Sequence, residues 1–417
     1  MNINILRTSL FGIFFCFTIQ FYGQNTILQD GSENSLVIKS AVLKEDRRIQ
    51  VYLPPNYKEA EKKYPVLYIM DGQRYFLNGV AFQQNLTWQE MAPEFIIVGV
   101  EMDLRKRRSL FYREAEKFIA FVEKELIPEI ETNFRTLPER IYFGWEMAAG
   151  LGVQIFADNP DLFNEFLLAS PTHVNRERLI SVGNRLRGDL KQQVKIYSVL
   201  GEVENWSVPS MSSLDSIFKE HKTEKMVWEY NLSSNENHYT SPLTTINEGL
   251  KLFFSDYGPI RFYTIQDFVD YGGMKELKEH YSKRGKRYGV SEEIHADTKH
   301  YLLLQAHKEN NFKLFEQLME EMDGSSFIKR YYRQARWFNR FAAFYTDNQQ
   351  PEKALRLLKL GFEKFPDASI LYYGMGNYYK VIGDKRNARK SFKKAIDIAE
   401  ENKETMLEEY LTTLNGL

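Results

Sequence analysis

One stretch of the chain has the residue types and spacing of a catalytic turn, with an unexpected side chain at its centre. In Ile141-Tyr-Phe-Gly144-Trp145-Glu146-Met147-Ala148-Ala149-Gly150, a β-rich run meets Gly144 and passes into a small-residue helical stretch. A strand, a tight turn and a helix, with small residues around one polar side chain, make a nucleophile elbow. The turn holds the central side chain up at the carboxyl end of a sheet. That side chain is Glu146, flanked two residues away by Gly144 and Ala148. A carboxylate has no proton to surrender to a neighbouring base, so it cannot be activated as a serine hydroxyl is. No serine in the chain has glycine both two residues before and two residues after it. The single cysteine, Cys16, lies in an N-terminal apolar run, which leaves the rest of the chain without a thiol nucleophile or a disulfide. His173, His221, His280, His295, His300 and His307 form neither H-x-H nor H-E-x-x-H. No metal site and no other cofactor is expected.

The elements needed to position such a turn are legible on both sides of it. Val37–Leu43 and Arg48–Leu53 are β-rich runs, and Val66–Met70 and Phe95–Val100 are continuous apolar runs of the kind buried on both faces of a parallel sheet. Glu114–Ile130 carries Phe118, Phe121, Val122, Leu126 and Ile130 at helical spacing. Ile141–Phe143 reads as a short strand and Met147–Ala157 as a helix. Phe166–Leu168, Val194–Leu200 and Met226–Tyr230 are later strands, and Leu243–Phe254 closes the series as a helix. Strands alternating with helices predict an α/β fold with a mostly parallel central sheet. After about Tyr257 the strand signal stops. Pairs 34 residues apart then match: Ala354 with Ala388, Tyr345 with Tyr379, Leu358 with Phe392, Ala342 with Gly376. This is the tetratricopeptide spacing. The predicted organisation is a leader over 1–23, an α/β domain over 25–257, a helical connector with a degenerate repeat over 258–334, and tetratricopeptide-like repeats over 335–417.

Several stretches together resemble the esterase-D and enterochelin-esterase-like family of α/β-hydrolases, in a subgroup with C-terminal tetratricopeptide-like repeats. They are Arg48–Pro54, Tyr64–Gly72, Phe118–Thr136 with Pro128 inside it, Arg140–Gly150, Leu168-Ala-Ser-Pro171 and Glu236-Asn-His-Tyr-Thr-Ser-Pro-Leu243, leading into Glu248-Gly-Leu250. The resemblance covers most of 40–255 in the family's order and implies an α/β-hydrolase domain. It places His238 at the catalytic histidine, which takes up and returns a proton in a serine hydrolase. It draws the orienting acid from Gly201-Glu-Val-Glu-Asn205, as Glu204 with Glu202 as the alternative. Oxyanion donors would be the backbone N–H of Met147 and one near Gly72-Gln73. Ser170 matches a sequence feature of the family that is not its nucleophile. The departure is confined to Glu146.

Three readings of Glu146 follow. In the first, catalysis as a serine esterase is lost, Glu146 pairs with His238, and the pocket binds a small ester-like ligand without cleaving it. In the second, Glu146 and His238 carry out hydrolysis by another route, as nucleophile or as base for a bound water. Elbow carboxylates of that kind are aspartates, and glutamate is one methylene longer. In the third, the fold serves only as a platform for the repeats, which would engage a protein partner. Arg105-Lys-Arg-Arg108 reads first as a solvated loop and second as a contact for an anionic ligand. Trp145 reads as a packing residue.

Charge excludes one class of partner. The 55 Lys+Arg balance the 56 Asp+Glu, which gives no field for nucleic acid. Arg7 followed by the apolar run Leu10–Ile19 predicts an export signal, too short to span a membrane comfortably. Export to the periplasm or beyond is expected, with no transmembrane span in the mature chain.

Overall fold

The computed structural model describes residues 35–55 and 57–417. The predicted leader over 1–23 lies outside the described residues. Eight strands form one sheet: β1 (Leu36–Ser40), β2 (Glu45–Tyr52), β3 (Tyr64–Met70), β4 (Ile96–Val100), β5 (Thr136–Trp145), β6 (Glu165–Ala169), β7 (Val194–Gly201) and β8 (Met226–Ser233). Their spatial order is β1-β2-β4-β3-β5-β6-β7-β8. β1 and β2 run antiparallel to their neighbours, while β3–β4, β5–β6, β6–β7 and β7–β8 are parallel. Every residue of β4 and of β6 is buried; β4 is apolar throughout and β6 is apolar after Glu165. The α/β-hydrolase architecture expected from the sequence is therefore present.

Helices connect the parallel strands. They are α1 (Gly72–Trp88), α2 (Ala115–Phe121), α3 (Ile127–Asn133), α4 (Met147–Asp158), α5 (Arg176–Leu186), α6 (Val208–Glu220) and α7 (Ser241–Phe253). The continuous helix predicted over 114–130 is broken by a wide π-type turn at Val122–Leu126 before α3. Pro128 stands in the first turn of α3 and has no N–H to return to the preceding turn. The strand expected at Ile141–Phe143 extends back to Thr136. Its first half carries polar, partly exposed residues that hide the strand pattern.

Ten helices follow: α8 (Ile265–Asp270), α9 (Gly273–Tyr288), α10 (Ala296–Lys308), α11 (Phe312–Glu321), α12 (Gly324–Tyr331), α13 (Ala335–Asp347), α14 (Pro351–Lys364), α15 (Ser369–Val381), α16 (Lys385–Glu401) and α17 (Leu407–Asn415). α15 begins 34 residues after α13, and α16 begins 34 after α14. Gly376 of α15 has a packing reason. A Cβ on Gly376 would lie 2.4 Å from the Phe392 ring. One apolar core runs from Phe262 to Tyr378 through Leu277, Phe315, Phe341 and Leu358. Among the described residues no helix is long and apolar enough to cross a membrane.

The chain separates into two compact units. One comprises residues through Glu61, Val66–Phe82 and Phe95–Ile246. The other comprises Lys62–Pro65, Gln83–Glu94 and Asn247–Leu417.

Candidate active site

The end of β5 and the start of α4 build the turn. Glu146 takes φ 57°, ψ −118°, a conformation a non-glycine residue adopts only under strain. Its N–H bonds to the Ala169 carbonyl at 3.0 Å, and its carbonyl accepts from Gly150 and Thr172, both at 3.1 Å. These three bonds clamp the strained residue on both sides. A Cβ on Gly144 would lie 2.5 Å from the Ala148 backbone, so strand and helix can meet this closely only with glycine at that position. The elbow keeps its form although it carries a glutamate.

The Glu146 side chain is fixed by a residue from another loop. Arg107 Nη1 bonds Glu146 Oε2 at 2.5 Å. The same guanidinium grips Asp71 with two parallel bonds, Nε–Oδ1 and Nη2–Oδ2, each 2.9 Å. A third contact runs from Nη2 to the Trp145 carbonyl at 3.4 Å. Asp71 and Arg107 are both buried. The fork of an arginine matches a carboxylate in this bidentate way, and lysine would not. Burial pulls the Arg107 pKa down, but Asp71 and Glu146 outweigh it and hold it above its ordinary value. The pairing expected between Glu146 and His238 is replaced by this one. Sequence reasoning could not find it, because nothing in Arg105–Arg108 marks one arginine as buried. Arg105 does lie in solvent, its side chain 90% exposed beside Asp103. The solvated reading of the loop therefore fails at Arg107 alone.

His238 and Glu204 form a complete acid–histidine pair. Glu204 Oε2 lies 2.7 Å from His238 Nδ1. Its other oxygen accepts from Ser170 Oγ at 2.6 Å and from the Gly201 N–H at 3.0 Å. Glu204 is fully buried. Burial alone would raise its pKa; the bonds from His238, Ser170 and Gly201 outweigh that and hold it below the usual carboxylate value. Glu202 is exposed, so Glu204 is the acid that meets His238. Ser170 Oγ also bonds Ser241 Oγ at 2.7 Å. Its hydroxyl orients the acid and does not approach as a nucleophile. Trp145 Nε1 donates to the His238 carbonyl at 2.7 Å, and the two rings lie 4.9 Å apart. The packing reading of Trp145 acquires a purpose here, since it holds the histidine backbone.

Glu146 and His238 line one cavity of about 570 Å³, together with His173, Asn175, Trp206 and Ser210. His173 was read from sequence only as a histidine outside any metal pattern. It lies at φ 58°, its Nδ1 2.8 Å from Thr172 Oγ1 and its ring 4.7 Å from Tyr112. Burial lowers its pKa, partly opposed by Glu146 and reinforced by Arg108, Arg178 and Arg107. Among the described residues no group of three or more His, Cys, Asp or Glu could hold a metal ion.

The two expected oxyanion donors open two helices. Gln73 stands in the first turn of α1, after β3, and Met147 in the first turn of α4, after β5, with β3 and β5 adjacent in the sheet. Between these turns lies the Arg107 guanidinium. It holds Asp71, two residues before Gln73, and Glu146, one residue before Met147. Asp71 shares two features with Glu146: it directly follows a strand with a buried end, and it has φ 57°. The Gln73 side chain instead turns to the backbone, accepting from the Met102 N–H at 3.0 Å.

Comparison with known proteins agrees with this architecture. Residues 40–242 match the model of a family described as "Putative esterase". An IroE-like serine hydrolase from Shewanella oneidensis superimposes with a TM-score of 0.52 at 18% identity, covering 70% of this chain and 98% of that one. An uncharacterised protein from Capnocytophaga ochracea gives 0.55 at 16% identity, covering 92% and 99%. The uncharacterized protein YbbA of Bacillus subtilis is 25% identical over 107 residues. That match takes in 22% of this chain and 43% of the relative, so this chain spans less than half the relative's length. The chain thus carries an esterase-like α/β-hydrolase fold, followed by a C-terminal all-helical region.

Proposed function

We propose that the α/β unit does not work as a serine esterase and acts by binding a small ester-like ligand in the cavity between Glu146 and His238. The observation that carries this is the Arg107 bridge. Glu146 has no hydroxyl to activate, and its carboxylate is engaged by a buried guanidinium that also grips Asp71. A carboxylate oxygen held by a guanidinium is a poor nucleophile, because its lone pair is engaged in the ion pair. Purified protein should hydrolyse short nitrophenyl esters no faster than its His238→Ala variant. Turnover that disappears in Glu146→Ala or His238→Ala would overturn the proposal.

A second reading rests on the intact Glu204–His238 pair. An imidazole oriented by a carboxylate can take a proton from water, with Glu146 placing that water or the substrate. The same assay separates the two readings. Glu146→Ser adds a third arm. With elbow, histidine and acid all retained, it should gain ester hydrolysis that depends on His238.

The proposal extends to the rest of the chain. The helices α13–α16 act as tetratricopeptide-like repeats that engage a protein partner, a reading supported by their 34-residue offset. The chain is exported to the periplasm or beyond, supported by Arg7 and the run Leu10–Ile19. N-terminal sequencing of the protein from an extracytoplasmic fraction should find a start near Gln24. A start at Met1, with the protein in the cytoplasm, would reject export.

A further inference from the structure

The helical unit holds a second cavity, of about 470 Å³, lined by more cations than acids. Three cations line it from three helices: Arg284 of α9, Lys299 of α10 and Arg330 of α12. Lys299 is the informative one. The residue is only 9% exposed, its stem covered by neighbours, while its ammonium is not sealed off and opens to the cavity. Among the described residues its ammonium has no hydrogen-bond or ion-pair partner. Its recorded contact is the face of Phe327, with the nitrogen 6.0 Å from the ring centre.

The acids nearby are committed elsewhere. Asp297, two residues before Lys299, bonds Arg261 through Oδ2 and the Tyr331 hydroxyl through Oδ1. Glu90 lies 3.3 Å from His295 Nε2. Glu293 is the one acid of the lining, and it is exposed. Arg284 donates only to neutral carbonyls, those of Tyr257 at 2.6 Å and Ser291 at 3.5 Å. Arg330 is exposed and has no ion pair among the described residues. Three cations therefore face one cavity with a single rim carboxylate against them. The first turn of α10 adds its positive end, since His295, Ala296 and Lys299 all belong to the lining. Phe327 and Tyr331 supply an aromatic wall.

We propose that this cavity binds a phosphomonoester with an aromatic or other apolar body. Several cations from separate helices suit the several oxygens of a dianionic phosphate better than a single carboxylate. The rings of Phe327 and Tyr331 would receive the apolar part. This site is independent of the hydrolase cavity and of the reading given to it.

Phenyl phosphate is the probe, added to the full-length chain while its thermal unfolding midpoint is followed. A ligand that binds only the folded state raises that midpoint. Phenyl phosphate should raise it, and should do so more than inorganic phosphate or benzoate at equal concentration. Lys299→Met and Arg330→Ala should each weaken phenyl phosphate binding by roughly 10-fold, about the effect of losing one charged hydrogen bond. Without ligand, Lys299→Met should keep the wild-type midpoint or exceed it, because among the described residues the ammonium makes no hydrogen bond or ion pair for the substitution to break. No rise with phenyl phosphate would overturn the proposal, and so would a rise fully retained in Lys299→Met. A benzoate response as large as that of phenyl phosphate would exclude the phosphate class. A lower midpoint for ligand-free Lys299→Met would show Lys299 to be structural.

Discussion

The two flanks of the hydrolase cavity have parted company. On one flank, Glu204 meets the His238 imidazole and is itself held by Ser170 and the Gly201 N–H. On the other, the elbow keeps its strained backbone, but its side chain belongs to an ion cluster of Asp71, Arg107 and Glu146. The first flank has the order a reaction needs. The second has the order of a closed electrostatic network. Geometry of this quality on one side of a site does not establish chemistry at its centre. What decides is whether the central group can give or accept the pair of electrons that the reaction moves.

The comparison can be broken most severely at Arg107. Arg107→Ala leaves Asp71 buried without its partner and Glu146 without its clamp. A loss of ~3–5 kcal/mol is expected, read by urea unfolding. A loss below ~1 kcal/mol, the range of exposed pairs, would show that the cluster is not a closed network.

Glu204→Ala should cost less, ~1–3 kcal/mol, because it leaves the Gly201 N–H without its acceptor and removes one of the two Ser170 bonds. Its pH dependence has a definite sign. The Glu204 pKa is lower in the folded chain than in the unfolded one, so its contribution is present above the unfolded pKa. It disappears as the pH falls through the folded pKa. The stability gap between wild type and Glu204→Gln should therefore narrow on acidification from about pH 7 to about pH 3. A gap that widens would contradict the assignment.

His173 sharpens the contrast from the other flank. Its folded pKa is also depressed, so the unfolded imidazole binds a proton first as the pH falls. Wild type should lose stability from about pH 6.5 downward, and His173→Gln should lose less over the same range. The smallest effect is expected for Glu146→Gln. It keeps an acceptor for Arg107 in a part-exposed position, and about 1 kcal/mol should be lost.

Much of the site is legible in the sequence. The elbow could be read because its small residues are demanded by a strand–helix contact, as Gly144 shows. His238 and Glu204 could be read because the loops that carry them resemble those of a known family. The buried strands were legible where both faces are covered, as in β4 and β6, and were clipped where polar residues begin a strand, as at Thr136. The helix at 114–130 was legible as a pattern, but its break before Pro128 was not. Glu204 was preferred to Glu202 from the resemblance, but only the fold shows which of two acids in one short loop faces inward.

The sequence by itself determined the order of elements, the charge balance and the identity of residue 146. Those depend on local pattern and on residue chemistry, which a chain carries without folding. The tertiary structure alone decided the partners of each charge. Arg107 is 36 residues from Asp71 and 39 from Glu146, and no local pattern links loops so far apart. Only the adjacency of β3 and β5 brings those turns near one guanidinium. The fate of Glu146 was thus set by packing between distant loops, because a carboxylate's chemistry depends on what lies against it.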